Sequence, residues 1–439
     1  IVNLEWVALI QSLVWQEAMY MAHGEIPRLL YFLGVLWSGL LSIIRPMVML
    51  FSSKFREREL EVAHQRNAFV RKGEQLSVWI HASSLGEFEQ ARPILEGIKL
   101  KNPEIDITVT FFSPSGFRIR NTYEYANRVL YLPLDTMRGA RDFLEMINPD
   151  IIIFIRYELW LNHLIEARRN AIPVYAVNAT FPRSALWNMF PGILRSILKL
   201  FSEIYTVDSH ETNQFVSLGV DIPIHTGTDT RIDRIHQQVS SMKNSYAFIH
   251  DILPGFEKAS IPCIVLGSSW EEDESMFLQA LTLIKSPIRL IIVPHEPTPE
   301  HCLRLSTTVP NSILLSECEE IGDEHIIVDS IGRLLGLYGI ADAAYIGGGF
   351  GAGVHSCAEP AGYGIPLASG PDISRSPDAK TLHELGALEL LRNAEDALAW
   401  MNAIAAGVMT KAGEQAKEYI ETRRGMTNTV LKEIIGLDD

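Results

Sequence analysis

The sequence predicts an α/β protein with two doubly wound parallel sheets, and three observations support this fold class. Short apolar runs alternate with amphipathic stretches from Leu76 onward, which is the pattern of consecutive β-α units. The length of 439 residues suffices for two or three domains of ordinary size. Hydrophobic residues make up 47% of the chain and charged residues 21%, the balance of a globular protein with a sizeable core.

Charge and cysteine content exclude several functional classes. The net charge of −15 and the pI near 5.4 argue against general binding of nucleic acid through its phosphates. The four cysteines lie far apart without a C-x-x-C pair. They therefore form neither a disulfide framework nor a zinc site, and they suit a reducing compartment.

The N-terminal end contains an apolar segment flanked by basic residues. Residues 29–44 carry no charge, and if Arg45 snorkels the apolar stretch reaches Phe51, which gives the roughly 20 residues of a spanning helix. From Arg45 to Lys72, seven Lys and Arg face three Glu, a net charge of +4, as expected beside an anionic cytoplasmic leaflet. We predict a membrane anchor and juxtamembrane helix over 27–55. A buried core helix is the alternative, and the role of the N-terminal extension 1–26 stays open.

The predicted strands follow in two groups of six. The first group comprises Leu76–His81, Ile105–Phe112, Val129–Leu132, Ile151–Ile155, Val174–Asn178 and Ile204–Asp208. The second comprises Ile261–Leu266, Ile288–Val293, Ser312–Leu315, His325–Val328, Ala343–Ile346 and Ile365–Ala368. Helix-period stretches such as Glu87–Lys99 lie between them, so ligands are expected outside the carboxyl ends of the strands.

The seam between the two groups falls in a polar stretch between Ile235 and Ile261. We predict an N-terminal domain over 56–240 and a C-terminal domain over 241–439. One or two helices within Lys411–Gly436 close the chain.

In the first half, two charged motifs follow predicted strands. In the run SSLGE, Gly86 permits a tight turn and Glu87 stands in the first turn of the next helix. The helix dipole keeps a carboxylate ionised there, and it can accept a proton from a hydroxyl group. Arg156 and Glu158 come directly after the strand Ile151–Ile155. Ordinary helix stabilisation by Glu87, and solvated capping by the charged pair, are equally compatible with the sequence.

Between the two predicted domains and in the second one, two polar motifs suit an anionic ligand. Arg231 lies in the turn TGTDTRID and suits a phosphate oxygen through a forked contact, or else an interdomain salt bridge. Ser268 and Ser269 in GSSWEEDE follow a strand and open a helix, where they can cap the helix or contact an anion. A helix start explains the acidic run better than a metal site does.

The strongest motif is YIGGGFGAGVHSCAEPAGYGIPLASG, in which a strand leads into glycines and then to His355 and Glu359. Glycines such as Gly348 and Gly349 let a ligand approach the backbone. Because these glycines come late in their domain, a dinucleotide fingerprint fits poorly and a nucleotide-sugar site fits better. For His355, an ordinary capping or core role is the alternative.

Together the motifs resemble the family of 3-deoxy-D-manno-octulosonic acid (Kdo) transferases, and most of all its branch in Bacteroidetes-type bacteria. The resemblance extends over roughly residues 27–390, in the family's order. It rests on HASSLGEFEQARPILE, TVTFFSPSGF, YLPLDT, NPDIIIFIRYELW, DTRIDR, GSSWEEDE, IIVPHEP, IGGGFGAGVHSCAEPAGYGIPLASGP and LHELGAL.

The resemblance implies a GT-B glycosyltransferase, in which two Rossmann-like domains face a cleft, with an N-terminal membrane-anchoring helix. It implies transfer of Kdo from CMP-Kdo to a lipid A precursor at the cytoplasmic side of the cell inner membrane, with inversion and without a metal or other cofactor. CMP-Kdo, the lipid A precursor and the membrane are the expected partners, and nucleic acid is not.

The resemblance also implies residue roles by motif position. Glu87 corresponds to the catalytic base, and Glu158 to a carboxylate that supports the acceptor side or the base. The donor site is implied to comprise Arg231 near the phosphate or carboxylate, Ser268 and Ser269, Pro294 and His295 at the cytidine, Gly348, Gly349, His355, and Glu359 at the ribose.

Three residues in or near the donor half, Thr228, Ser356 and Cys357, depart from the residues usual in the family. They leave two alternatives open: a GT-B transferase that uses another nucleotide sugar, and a catalytically silent membrane-bound homologue.

Overall fold

A computed structural model describes residues 26–68, 73–243, 261–318 and 322–438, and these residues form two compact units. Unit 1 comprises residues 26–230 and 426–438, and unit 2 comprises residues 231–425. Each unit contains a seven-stranded, fully parallel sheet with buried apolar clusters on both of its faces. The predicted α/β class is confirmed. Almost all of the extension 1–26 lies outside the described residues.

The sheet of unit 1 has the strand order β3-β2-β1-β4-β5-β6-β7. Its strands are β1 (Ser77–His81), β2 (Asp106–Phe111), β3 (Arg128–Tyr131), β4 (Ile151–Ile155), β5 (Val174–Ala179), β6 (Glu203–Thr206) and β7 (Ile224–Thr226). Its helices up to the second unit are α1 (Arg28–Phe51), α2 (Ser53–Ala68), α3 (Leu85–Lys101), α4 (Pro114–Arg120), α5 (Met137–Ile147), α6 (Leu161–Arg169), α7 (Ala185–Met189), α8 (Pro191–Leu198) and α9 (Ser209–Ser217).

The sheet of unit 2 has the corresponding order β10-β11-β9-β8-β12-β13-β14. Its strands are β8 (Cys263–Ser269), β9 (Arg289–Pro294), β10 (Ser312–Leu314), β11 (His325–Ile327), β12 (Ala343–Ile346), β13 (Leu367–Ser369) and β14 (Leu388–Leu390). Its helices are α10 (Thr230–Lys243), α11 (Glu271–Leu281), α12 (Pro299–Thr308), a 3₁₀ turn (Leu315–Glu317), α13 (Leu334–Leu337), α14 (Ala358–Tyr363), α15 (Pro377–Glu384), α16 (Ala394–Ala405) and α17 (Thr410–Glu421).

Strand β1 shows why the central strands consist of continuous apolar runs. Val78 and Ile80 pack into the cluster beside α3, whereas Trp79 between them packs into the cluster on the opposite face. Because helices cover both faces of a parallel sheet, both sets of side chains are buried. The continuous apolar pattern therefore predicts the strand, but it does not show which side chains lie on which face of the sheet.

The units differ from the predicted domains at two places. Unit 2 begins at Arg231, inside α10, because Ile232, Ile235 and Val239 of that helix pack into the unit 2 core. The boundary predicted at 240/241 thus falls within a helix.

The end of the chain belongs to unit 1, although the sequence suggests a single domain from 241 to 439. Residues 426–438 form α18 (Met426–Thr429) and a π-helix (Val430–Ile435), and their apolar side chains pack into the core of unit 1 beside α3. Helical periodicity shows that this segment has an apolar face but does not show which core that face enters.

Helix α1 packs against the rest of unit 1 along one narrow face. Leu30 and Gly34 are buried, and the hydroxyl of Ser38 accepts a hydrogen bond from the Met137 N–H at 2.9 Å. Ten large apolar side chains of the helix are exposed: Leu29, Phe32, Leu36, Trp37, Leu40, Ile43, Ile44, Met47, Leu50 and Phe51. Among the described residues α1 is the one helix long and apolar enough to cross a membrane, and it is not a buried core helix.

Candidate active site

The candidate site residues lie where the strand order of each sheet reverses. In unit 1, β1 pairs with β2 on one side and with β4 on the other. In unit 2, β8 pairs with β9 and with β12 in the same way. Loops at the carboxyl ends of such neighbouring strands diverge to opposite sides of the sheet and leave a crevice between them. Four of the predicted motifs lie at the ends of β1, β4, β8 and β12, whereas Pro294 ends β9 and Arg231 comes after β7.

Glu87 lies in the first turn of α3 and forms a capping box with Ser84. The Glu87 N–H donates to the Ser84 hydroxyl at 3.4 Å, and the Ser84 N–H donates to Glu87 Oε2 at 3.3 Å. Gly86 lies within the helix rather than in the predicted tight turn, because the turn falls at Ser83 and Ser84. Burial raises the pKa of the Glu87 carboxyl, while backbone hydrogen bonds from Ser83 and Ser84 and the charge of Arg156 act against this shift.

Glu158 lies beside Glu87, at the end of β4. Burial, followed by the charge of Glu87, raises the pKa of Glu158 to about 7. Hydrogen bonds to its carboxylate act in the opposite direction: the Trp160 indole N–H donates to Glu158 Oε2 at 2.7 Å, and the Ser83 side chain contributes another. The two carboxyl groups therefore titrate as a pair, and the second proton leaves only near neutral pH.

Arg156 places a positive charge beside both carboxylates. Its φ of +68° lies in the left-handed region, which costs a non-glycine residue roughly 1–2 kcal/mol. The Arg156 N–H nevertheless continues the ladder to the Val177 carbonyl at 2.9 Å. Its charge lowers the pKa of both Glu87 and Glu158, so the loop favours the ionised pair.

In unit 2, Asp273 joins helix α11 to the glycine-rich loop. This fully buried carboxylate accepts hydrogen bonds from the Trp270 N–H at 2.9 Å and the Gly348 N–H at 3.1 Å. The Tyr345 hydroxyl donates to its other oxygen. Asp273 is not among the predicted site residues, because in an acidic helix start nothing distinguishes the one residue that holds a loop.

The glycines after β12 are required by close backbone packing. A Cβ on Gly348 would lie 2.3 Å from the Gly353 carbonyl oxygen, and a Cβ on Gly349 would lie 2.5 Å from the Gly370 Cα. Gly348 also has a φ of +93°. Because these neighbours are backbone atoms, they cannot move aside for a side chain. The loop therefore presents bare backbone at the switch point of unit 2.

Three aromatic rings line the same edge of unit 2. The His295 ring stacks on Trp270, with centroids 4.7 Å apart, and lies 4.5 Å from the His355 ring. Burial and the nearby His295 lower the pKa of His355. In the described part of the chain, His355 Nε2 is buried without a hydrogen-bond partner. The lowered pKa favours the neutral form of His355 at this edge.

The remaining predicted donor residues occupy different environments. Ser268 has a φ of +52°, whereas the buried Ser269 donates its hydroxyl proton to Glu274 Oε1 at 2.8 Å. Pro294 ends β9, and Glu359 is the second residue of α14, which begins three residues after His355. Arg231 is not in a turn as predicted: it is the second residue of α10, with an exposed side chain.

Two Rossmann-like units with polar loops at both switch points define the GT-B class of fold. Two solved structures agree in fold. UDP-GlcNAc 2-epimerase from Neisseria meningitidis is similar with a TM-score of 0.57 and 13% identity, over 82% of this chain and all of that one. MurG from Acinetobacter baumannii is similar with a TM-score of 0.52 and 12% identity, over 82% of this chain and 99% of that one.

Sequence relatives support one family within this class. Residues 54–234 match the profile described as 3-deoxy-D-manno-octulosonic-acid transferase (kdotransferase). The chain is 26% identical to the 3-deoxy-D-manno-octulosonic acid transferase of Rickettsia bellii over 75% of this chain and 79% of that protein. It is 24% identical to that of Haemophilus influenzae over 78% and 83%. These matches confirm the predicted resemblance to the Kdo transferase family, and they support a glycosyltransferase.

Proposed function

We propose that this protein transfers Kdo from CMP-Kdo to a lipid A precursor. The match to the Kdo transferase family supports this reaction. The observation that carries the proposal is the pair of carboxyl groups at the switch point of unit 1, Glu87 and Glu158, whose pKa values are both raised. A carboxylate whose pKa approaches the working pH is a more effective base than an ordinary surface carboxylate.

Glu87 is the proposed general base. It takes the proton from the acceptor hydroxyl as that oxygen attacks the anomeric carbon of Kdo. The new C–O bond forms while the bond from the anomeric carbon to the phosphate oxygen breaks, so CMP leaves and the configuration inverts. Glu158 holds a second negative charge beside the base, which raises the proton affinity of the pair.

Unit 2 is the proposed donor site. The bare backbone at Gly348 and Gly349 allows close approach of the donor, with its N–H groups available to anionic oxygens. Arg231 contacts the phosphate or the Kdo carboxylate, Pro294 and His295 hold the cytidine, and Glu359 binds the ribose. Ser268 contacts the donor, whereas Ser269, bonded to Glu274, supports this loop. We propose that these groups neutralise the leaving phosphate without a metal ion or other cofactor.

Helix α1 is the proposed attachment to the cytoplasmic face of the inner membrane. Its exposed apolar side chains favour contact with acyl chains. The exposed basic residues Arg45, Lys54 and Arg56 lie at its C-terminal end and in the following helix, where they suit anionic lipid headgroups.

The proposal is tested by a transfer assay with CMP-Kdo generated in situ and a tetra-acylated lipid A precursor. We expect a Kdo-bearing product from the wild type and a loss of about 10²–10⁴-fold in rate for Glu87→Gln. Glu89→Gln, on the same helix but paired with surface arginines, serves as the matched control and should retain activity.

Each other outcome would contradict a defined part of the proposal. Activity of Glu87→Gln at the wild-type level would remove Glu87 from its role as base. Turnover with another nucleotide sugar but not with CMP-Kdo would show a different donor. A folded protein that binds CMP but transfers no sugar would indicate a catalytically silent homologue.

A further inference from the structure

His81 is the last residue of β1 and lies beside the carboxyl pair. The mechanism proposed above gives it no role. Its side chain is fully buried. Its Nδ1 lies 2.8 Å from the Thr110 hydroxyl oxygen, and its Nε2 lies 3.0 Å from the Ser83 hydroxyl oxygen. The Trp79 indole nitrogen lies 2.8 Å from the same Thr110 oxygen. Four side chains therefore form a continuous chain of hydrogen bonds.

The indole at one end fixes the direction of these hydrogen bonds. Trp Nε1–H can only donate, so the Thr110 oxygen accepts from Trp79. The Thr110 hydroxyl is buried, and His81 Nδ1 is its other partner among the described residues. A buried hydroxyl proton needs an acceptor, and among the hydrogen bonds of the described residues that acceptor is His81 Nδ1, so we assign Thr110 as the donor to Nδ1. A neutral imidazole that accepts at Nδ1 carries its proton at Nε2, so His81 donates to Ser83.

His81 stays neutral, so it acts through the direction of its hydrogen bonds rather than through a charge. Burial, followed by the positive charge that His163 can bring, lowers the pKa of His81 to about 3, although a backbone hydrogen bond at Thr110 acts against this shift. Its Nε2 lies 3.9 Å from Glu158 Oε2, which is too far for a hydrogen bond. Contact between His81 and Glu158 therefore runs through the hydroxyl of Ser83.

Ser83 holds both carboxyl groups. Its backbone N–H hydrogen-bonds to Glu87 and its side chain to Glu158. Because the Ser83 oxygen accepts from His81, its own proton is free to point to Glu158. The opposite tautomer of His81 would accept that proton instead and would turn the hydroxyl away from Glu158.

We propose that His81 is a positioning residue: Trp79 and Thr110 lock its imidazole in the Nε2–H tautomer, so that the Ser83 hydroxyl always donates to Glu158. This fixed tautomer stabilises the ionised form of the carboxyl pair, which faces the acceptor sugar in the proposed mechanism. Its catalytic consequence rests on the proposed function, but the tautomer itself does not.

The lock has a consequence for pH dependence. The titratable and charged groups that face Glu158 are Glu87, Arg156 and, through Ser83, the neutral His81. A hydroxyl group that donates a hydrogen bond to the Glu158 carboxylate lowers the higher of the two pKa values of the carboxyl pair. Loss of this hydrogen bond raises that pKa. The increase of kcat with pH therefore occurs at a higher pH.

The tautomer is measured by ¹⁵N NMR of the full-length protein with ¹⁵N-labelled histidine, from pH 5 to 9. The His81 signals are assigned by their absence from His81→Gln. In the wild type we expect Nε2–H over the whole range, including low pH where Glu158 is protonated. In Thr110→Val, which keeps the shape but removes the hydroxyl, the tautomer should vary with the ionisation of the pair. Thr110→Ser, the matched control, should resemble the wild type.

Kinetics of the same variants test the consequence. In Thr110→Val the rise of kcat should move up by about one pH unit, with KM for CMP-Kdo unchanged, whereas Thr110→Ser should keep the wild-type profile. A purely structural defect would lower kcat equally at every pH, and that result would overturn the positioning role. A wild-type His81 that is protonated or in the Nδ1–H form would overturn the lock. Failure of Kdo transfer alongside the expected tautomers would contradict only the proposed function.

Discussion

At the scale of single residues, Asp273 determines the shape of the candidate donor loop. Its two oxygens accept three hydrogen bonds, from Trp270 and Gly348 of the backbone and from the Tyr345 hydroxyl. Burial raises its pKa, while these three donors act against the shift. A buried carboxylate with such partners is stabilising only while every partner remains in place.

Asp273→Asn should therefore weaken the loop although the side chain keeps its shape. The amide nitrogen cannot accept from an N–H group, so at least one donor is left unsatisfied, at a cost of about 1–3 kcal/mol. We expect weaker binding of CMP by calorimetry and a lower melting temperature. Glu272→Gln, an exposed neighbour on the same helix turn, is the control and should change neither. Unaltered CMP affinity in Asp273→Asn would show that the loop holds its shape without this carboxylate.

Sequence patterns predicted part of this site and physical contacts determined the rest. Glu87 and Glu158 each follow an apolar strand run, so their position at a sheet edge was predictable. The roles of His81 and Asp273 depend on which donor meets which acceptor across 29 and 75 residues of sequence, respectively. Spacing along a chain carries no information about such directions.

At the scale of elements, Gly34 sets how closely helix α1 approaches unit 1. A Cβ there would lie 2.6 Å from the Asn162 side-chain oxygen. Asn162 is itself tied at its amide nitrogen to the Asp135 carbonyl at 2.6 Å. The neighbour is therefore not free to move, whereas Gly39 of the same helix has no heavy atom within 4 Å of such a Cβ.

The two glycines should respond in opposite directions to alanine. Gly34→Ala should lower the unfolding free energy of unit 1 by about 1–3 kcal/mol through overpacking. Gly39→Ala should raise it by about 0.5–1 kcal/mol, because alanine is the better helix former. Denaturation in detergent followed by tryptophan fluorescence compares the two. Equal effects would show that α1 does not rest on α6 through Gly34.

Strand prediction succeeded for all strands except one edge strand of each sheet. All twelve predicted strands are present with small shifts at their ends, and β7 and β14 were missed. Both have three residues and lie at an outer edge. A strand at the edge of a sheet is paired on one side only and is partly exposed to solvent, so it needs few apolar residues. Three residues are also too few to form a recognisable hydrophobic pattern.

At the scale of the whole molecule, the chain leaves unit 1 after Thr230 and returns to it at Met426. Met426, Val430, Leu431, Ile434 and Ile435 are buried in the core beside α3. Gly97 of α3 makes room for this segment, since a Cβ there would lie 2.7 Å from a Leu431 methyl group. The last residues of the chain thus complete the unit that contains the first residues of the fold.

Removal of residues 426–439 should therefore destabilise unit 1, most of which is distant from these residues in the sequence. Five buried apolar side chains contribute roughly 1.5–3 kcal/mol each, which together matches the total stability of an ordinary domain. The hydrogen bond from the Tyr205 hydroxyl to Glu433 at 3.1 Å is also lost. We expect hydrogen exchange to accelerate in β1 and α3, while β8, β9 and β12 keep their protection and unit 2 still binds CMP. Removal of Leu437–Asp439 alone, which spares the five core residues, should leave exchange in β1 almost unchanged. Loss of protection in unit 2 instead would contradict the assignment of the C-terminal segment to unit 1, because the core that loses its side chains must be the first to open.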